Sequence, residues 1–417
     1  MFPILLVTFI YPAFGAVVIS FFALINHRNI CGKNSKWLFI SLAFIIAALG
    51  YSMTEELGDL QRYYSEILAI ETMSLSNVFQ FDGEHLYIAD CLFYFVSRTE
   101  NAQILNYIIG IIDYTIVFYV LSDRLNRSTQ NFTVWTAIKL CVLIIGIVPF
   151  YNIIANVRCV TAYIIILFAG YRDLIQKKRN MFTILLYVLP IGLHVSAVVI
   201  VFLRLIQSFA KRLGRSIIFI AIIIPFLIGI LYTYAGIISG SFVGSIIANA
   251  IGRAYVYLNW TDGGFATEIQ NNITNQLTRV YGSFFIGLIT IMLVIAKKKS
   301  IRILRRDIFS EPMVAYWYTI ASCALGSLYI VTGVFWRFEA AVVLFSPIVL
   351  IQLLELNDRL INRCVNLLFF SGAFMLAMNL VYTYRNLDVL AMMHNFFLTT
   401  GAEILYYVVN GFLNILM

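Results

Sequence analysis

The stretch GDLQRYY, residues 58–64, sets an acid, a base and two phenols at the edge of a long apolar run. Asp59 and Arg62 are three apart, so on a helix they share a face. As chemistry, Asp59 would accept a proton and Arg62 would clamp an anion, with Tyr63 and Tyr64 as a sugar-stacking surface. As structure, the same charges would make a local ion pair that caps one helix or opens another at the membrane interface. Tyrosines at such a boundary are ordinary. ANVRCVTAY (155–163) carries Arg158 at the start of a short apolar run. A guanidinium matches phosphate oxygens through paired bonds and stays charged when desolvated. An isolated one would instead snorkel to headgroups.

PIGLHVSA (190–197) carries His194 and Ser196 among Leu, Val and Ile. His194 is the second choice for proton acceptor, or a donor to a phosphate; a satisfied structural histidine is the alternative. Ser196 reads as a binding or backbone-bonding hydroxyl, since no GxSxG or Ser/His/Asp order marks a nucleophile. Further cations are Arg253 in AIGRAYVYLNW, Arg279 opening a later apolar run, and Arg337 in GVFWRFE with Glu339 beside it. Arg204 reads as a snorkelling anchor. The four His (27, 85, 194, 394) form no HExxH-type motif and the six Cys no CxxC, so neither a metal centre nor a disulfide framework is expected.

The elements that position these residues are apolar. Of 417 residues, 61% are hydrophobic and 12% charged, with a mean hydropathy of +0.88. Soluble domains carry about 25% charged residues. Apolar runs long enough to cross a bilayer as helices recur along the chain, and no alternating pattern of barrel strands is visible. The fold class is all-α: a polytopic integral membrane protein of eleven to thirteen transmembrane helices. The first run has no basic leader and is too long for a signal-peptide core, so it reads as a membrane helix.

The net charge of +8 does not make a nucleic-acid face, because the basic residues sit in short loops between apolar runs. KKKSIRILRR (297–306) is the strongest cytoplasmic signal, and 27–36, 171–180 and 210–216 agree with it. Walking outward gives spans near 3–25, 37–53, 103–121, 133–150, 157–170, 216–236, 279–296, 313–332, 338–356, 364–384 and 396–416. The N-terminus is then outside and the C-terminus inside. Residues 1–417 form one membrane domain with external loops at 54–102 and 237–278; 84–97 and 240–257 are amphipathic enough to lie at the interface. Residues 181–207 have basic flanks on both sides. A hairpin broken near Pro190 and Gly192, its tip outward, keeps both flanks inside; one long kinked helix is the alternative.

This map places Arg62, Arg158, Arg253, Arg279 and Arg337 outside, the side that the positive-inside rule depletes of arginine. An anionic ligand there accounts for them, and in a membrane the natural one is a lipid phosphate or pyrophosphate.

In order and spacing, the motifs of 50–207 resemble the EpsG-like branch of the Wzy-type polysaccharide polymerases. They are Asp59 with Tyr63 and Tyr64, Arg158 with Ala162, the basic turn Lys177–Lys178–Arg179, and His194, Ser196 and Ala197. Cys159 stands where the family often has Gln, and the Arg-Gly pair common before the Asp is missing. The resemblance implies a GT-C-like glycosyltransferase architecture in the bacterial inner (cytoplasmic) membrane, with the site facing the periplasm. It also implies a reaction that joins undecaprenyl-pyrophosphate-linked oligosaccharide repeat units into an O-antigen, capsule or exopolysaccharide. Donor and acceptor are both lipid-linked glycans, no cofactor is needed, and a chain-length regulator and a flippase are further partners. In that reaction Arg158 and Arg253, then Arg337, would stabilise the departing pyrophosphate, and Asp59 or His194 would take the acceptor's proton. The rival readings are a lipid-linked saccharide flippase or exporter, which would show a two-fold repeat, and a membrane O-acyltransferase acting on the same glycan.

Overall fold

The computed structural model describes residues 2–25, 35–53, 59–81, 86–128, 130, 132–147, 156–213, 230, 234, 248, 252, 273–304, 307–330, 332–386 and 388–416. Among them every regular element is a helix and no strand occurs. The α-helices are α1 (Phe2–Ile10), α2 (Pro12–Ile25), α3 (Ser35–Tyr51), α4 (Asp59–Ala69), α5 (Leu75–Phe81), α6 (Tyr87–Ser97), α7 (Ile104–Asn126), α8 (Val134–Ile147) and α9 (Val157–Leu174). They continue as α10 (Met181–Val188), α11 (Ala197–Leu213), α12 (Ile273–Leu304), α13 (Pro312–Ile330), α14 (Thr332–Leu354), α15 (Arg359–Asn386), α16 (Val389–Leu398) and α17 (Gly401–Leu416).

Among the described residues four helical stretches are long and apolar enough to cross a membrane: Ile104–Asn126, Val280–Ile301, Arg337–Leu354 and Arg359–Val381. The pair Val389–Leu398 and Gly401–Leu416, bent by 86°, makes a fifth if it is one span. The chain is thus an all-α membrane protein. It groups into two compact units: Met1–Ala169 with Ile184–His194 and Phe369–Met417, and Gly170–Thr183 with Val195–Leu368.

In the first unit α3 lies along α7. Ala43, Ala47 and Ala48 are fully buried on α3, and a Cβ on Gly110 of α7 would come within 2.8 Å of Ala47 Cα. Small residues at both sides of the seam let the two backbones approach, as apolar helices must when lipid supplies no hydrophobic drive.

Two expected single crossings are broken. The run 3–25 divides into α1 and α2 at Tyr11–Pro12, because proline removes a helical N–H and its ring clashes with the turn before it. The bend is sharp. Residues seven apart in a straight helix are separated by about 10.5 Å, yet a Cβ on Gly15 would lie 2.5 Å from Thr8 Cα. The run 396–416 is broken between α16 and α17, where Thr399 is extended (φ −64, ψ 129). The bend follows from packing on α1: a Cβ on Gly401 would meet the Phe9 carbonyl oxygen at 2.0 Å, and the Tyr11 hydroxyl donates to the Phe397 carbonyl.

Near Pro190 the chain does break. α10 ends at Val188, a 3-10 turn spans Leu189–Gly192, and α11 starts at Ala197. The basic segment 297–306 is no loop at its start, because α12 runs through it to Leu304. Its 32 residues are about 48 Å long at 1.5 Å each, well beyond a hydrocarbon core of about 30 Å. Lys297 lies 3.8 Å from Asp307, and Lys299 pairs with Asp358. Apart from Ile230 and Tyr234, the expected span 216–236 lies outside the described residues.

Candidate functional site

α4 is amphipathic at helical spacing. Leu60, Tyr63, Tyr64 and Ile67 are buried, whereas Gln61, Arg62 and Ser65 are exposed. Its buried face rests on an apolar floor that includes Met53, Phe93 of α6, Leu105 and Ile109 of α7, Val157 of α9 and Met392 of α16. Asp59 and Arg62 thus share one amphipathic helix, as their spacing implies. Asp59 opens it, where the helix dipole favours a carboxylate. Arg62 Nη2 is 3.9 Å from Asp59 Oδ1 and its Nε is 3.5 Å from Glu66 Oε1. With Arg62 52% and Asp59 46% exposed, the cluster is a solvated rim.

Behind the rim is a buried cation. Arg158, in the first turn of α9, is only 4% exposed. Its guanidinium carbon lies 5.0 Å from the centre of the Tyr63 ring, and that of Arg62 lies 5.2 Å from the same ring. Tyr63 also packs on Phe93, ring centres 5.3 Å apart. Burial raises the Tyr63 phenol above its ordinary range, while the charge of Arg158 and a hydrogen bond from it act in the opposite direction. The phenol stays protonated at neutral pH, and its ring faces two guanidiniums at once.

Tyr64 takes a different role from its neighbour. Its hydroxyl accepts from Asn106 Nδ2 at 2.8 Å, and the same amide donates to the Gly50 carbonyl at 3.1 Å. This ties α4 to the seam of α3 and α7. Nearby, Tyr51 donates to Glu403 Oε1 at 2.9 Å, and Asn101 Nδ2 donates to the Tyr51 hydroxyl at 3.1 Å.

Of the residues singled out by sequence, the structure therefore gathers Asp59, Arg62, Tyr63, Tyr64 and Arg158. His194 sits in the same unit, half-buried in the break after the 3-10 turn, its backbone N–H donating to the Pro190 carbonyl at 3.0 Å. Ser196, Arg279 and Arg337 belong to the other unit. Arg279 lies on α12, and Arg337 on α14 near Glu339, whose carboxylate fills the space a Cβ on Gly282 would need. Arg253 lies outside the described residues.

Arg204 corrects its sequence reading. It does not snorkel. It is 13% exposed, and its Nε donates to Asp173 Oδ2 at 2.9 Å, while Arg179 Nε donates to Asp173 Oδ1 at 2.7 Å. Residues that sequence reasoning passed over are Glu66, Asn106, and the pair Asp113–Thr161, linked at 2.9 Å. Asp113 carried a visible signal: a lone acid in the middle of an apolar run is a site by default.

Among the described residues no group of three or more His, Cys, Asp or Glu could hold a metal ion. The site brings together two guanidiniums on one aromatic ring, carboxylates at its rim and an apolar floor. No protein-family profile, curated protein or solved structure matches the chain.

Proposed function

We propose that the chain is a glycosyltransferase of the polysaccharide-polymerase kind, joining polyprenyl-pyrophosphate-linked repeat units into a surface polymer. Arg158 carries the reading: a buried guanidinium in the first turn of its helix, laid against a tyrosine ring it shares with Arg62. Burying a guanidinium is costly unless it is paired or holds a ligand. A diphosphate leaving group gives it one, because charge-assisted bonds from guanidiniums strengthen as the anomeric C–O bond breaks. The half-exposed carboxylate of Asp59 is the group placed to take the acceptor hydroxyl's proton, and the floor under α4 suits the carrier's first isoprene units.

The finer parts of this reading belong with it. They are eleven to thirteen crossings with a hairpin at 181–207, a GT-C-like architecture, and a site on the outer face of the bacterial inner membrane. A contribution from His194 to the same site belongs with it as well.

The test is Arg158→Ala at matched expression and membrane insertion. The expected result is accumulation of single-repeat glycan with loss of long chains. A normal polymer-length ladder would remove Arg158 from the site and the reading with it.

A further inference from the structure

Two neighbouring tyrosines of α4 lead inward by separate routes that meet. Tyr63 contacts Arg158 of α9, and Tyr64 binds Asn106 of α7. One turn inward from Arg158 on α9 stands Thr161, and two turns inward from Asn106 on the same face of α7 stands Asp113. The two helices join there, Thr161 Oγ1 donating to Asp113 Oδ2 at 2.9 Å.

Asp113 lies near the middle of a membrane-length helix and is 0% exposed. Among the described residues its Oδ1 has no hydrogen-bond partner, and on the same helix the buried Asn106 Oδ1 and the neighbouring Tyr114 hydroxyl have none either. A carboxyl group in an apolar interior has to be neutralised by a cation, a guanidinium or a proton. Among the described residues its one partner is Thr161, a neutral hydroxyl, and no cluster of metal-binding side chains surrounds it.

The groups around it narrow the choice. From α9 come Thr161 and, a turn outward, Arg158, which lies over Tyr63. From α7 itself comes Tyr114. Along α3 the titratable residues are Lys36 and Tyr51, at its two ends. α6 and α17 pack on the first turns of α7, near Leu105 and Ile104, and bring the acids Asp90 and Glu403. Among the described residues none of these supplies a positive charge at Oδ1.

We propose that Asp113 is a proton-binding site inside the membrane domain, and that its proton keeps Arg158 engaged with Tyr63 and open to an anion. If the proton leaves, a bare carboxylate stands one hydrogen bond beyond Thr161, itself one helical turn from Arg158, and its negative charge competes with any phosphate for the guanidinium. The second half rests on the role of Arg158 proposed above; the first half does not.

Infrared difference spectroscopy of the purified full-length protein in lipid tests the first half. In neutral buffer the wild type should show a carboxylic-acid C=O band that Asp113→Asn lacks. In Thr161→Val, which keeps the acid and loses its donor, the same band should shift. Wild type and Asp113→Asn spectra that coincide in that region would mean an ionised Asp113 and would overturn the site. A band that responds to added sodium rather than to pH would overturn it in favour of a metal cation.

Binding of a short-chain prenyl pyrophosphate tests the second half. Raising the pH until the band disappears should weaken binding to wild type by about tenfold relative to Asp113→Asn, in which no carboxylate can form. The ratio cancels the ligand's own ionisation. Equal pH profiles would sink the coupling. No binding by either protein would sink the anion role of Arg158 and leave the proton site standing.

Discussion

Arg158 and Arg204 are both guanidiniums on largely apolar helices, and their surroundings differ in kind. Arg204 has a carboxylate at bonding distance: Asp173, 9% exposed and gripped on its other oxygen by Arg179. Arg158 has the face of a phenol ring at 5.0 Å. Opposite charges at contact neutralise each other and leave little field to act on a ligand. A ring quadrupole lowers the cost of burying a cation, by about 0.5–2 kcal/mol, without cancelling its charge. The first arrangement sets charge against charge; the second sets a charge against a ring.

That contrast breaks most easily at Arg204. Removing one partner of a buried pair leaves the other charged and desolvated, so Arg204→Ala should destabilise its unit by about 3–5 kcal/mol. The pair itself is worth less than its breakage. An Arg204→Met, Asp173→Leu double variant should therefore be more stable than either single change, because an apolar replacement restores packing without stranding a charge. Thermal unfolding in detergent reads both. A double variant less stable than both singles would mean that Arg179 and its neighbours depend on Asp173 more than Arg204 does.

Arg158→Ala should behave the other way round. Stability should fall by only about 1–2 kcal/mol, the scale of a desolvated cation–π contact. Polymer elongation should fall by roughly 100-fold or more, the cost of deleting one preorganised stabiliser of developing negative charge. An Arg158→Lys variant sharpens the point, since it keeps the charge and loses the planar fork; it should recover stability and little activity. Should Arg158→Ala instead unfold as readily as Arg204→Ala, the two arginines would be of one kind.

How far the sequence reveals these differences depends on the range of the interaction involved. α4 is legible because Leu60, Tyr63, Tyr64 and Ile67 recur at helical spacing and Asp59 starts the helix, all within 11 residues. The break near Pro190 is legible for the same local reason. Pro12 also stood in plain view, yet a proline within an apolar run is compatible with one kinked crossing. Only the contact of Gly15 with Thr8 shows the chain turning sharply. The bend at Thr399 has no local cause strong enough to announce it. It is fixed by backbone contact with Phe9 and by the Tyr11 hydroxyl, far away in the chain. Arg204 is hidden in the sequence for a related reason. Its partner Asp173 lies 31 residues earlier, in the last turn of α9 and just before the basic residues 177–179, whose charge reads first as a topology signal. Asp113 needed no distant partner to be noticed, only weight given to an acid amid isoleucines.

The rim tests the same contrast more gently. Arg62 is half-exposed and set between Asp59 and Glu66, so water screens all three. Arg62→Ala should change stability by less than about 1 kcal/mol, and any loss should shrink in high salt. Its effect on elongation should be smaller than that of Arg158→Ala and should also weaken with salt, because an exposed charge attracts an anion without holding it in one geometry. A salt-independent loss as large as that of Arg158→Ala would move Arg62 from the rim to the centre.

The finest difference is in how Tyr63 responds to alkali. Burial holds its phenol above the usual value near 10, and Arg158 only partly offsets this. Above about pH 10 the unfolded chain loses the phenolic proton while the folded chain keeps it. The folded state then binds more protons than the unfolded one, so stability falls as pH rises. Below that pH both states are protonated and the group contributes no pH dependence. Tyr63→Phe has no proton to lose there. It should start slightly less stable at neutral pH, by about 0.5–1.5 kcal/mol for the lost hydrogen bond with Arg158, and then decline less steeply in alkali. The two stability curves should converge as the pH rises. In the Arg158→Ala background the offset is gone, so Tyr63 should make the alkaline decline steeper still. Parallel curves for Tyr63→Phe and wild type would mean that the phenol is open to water, and the ring could not then be what holds Arg158 at its depth.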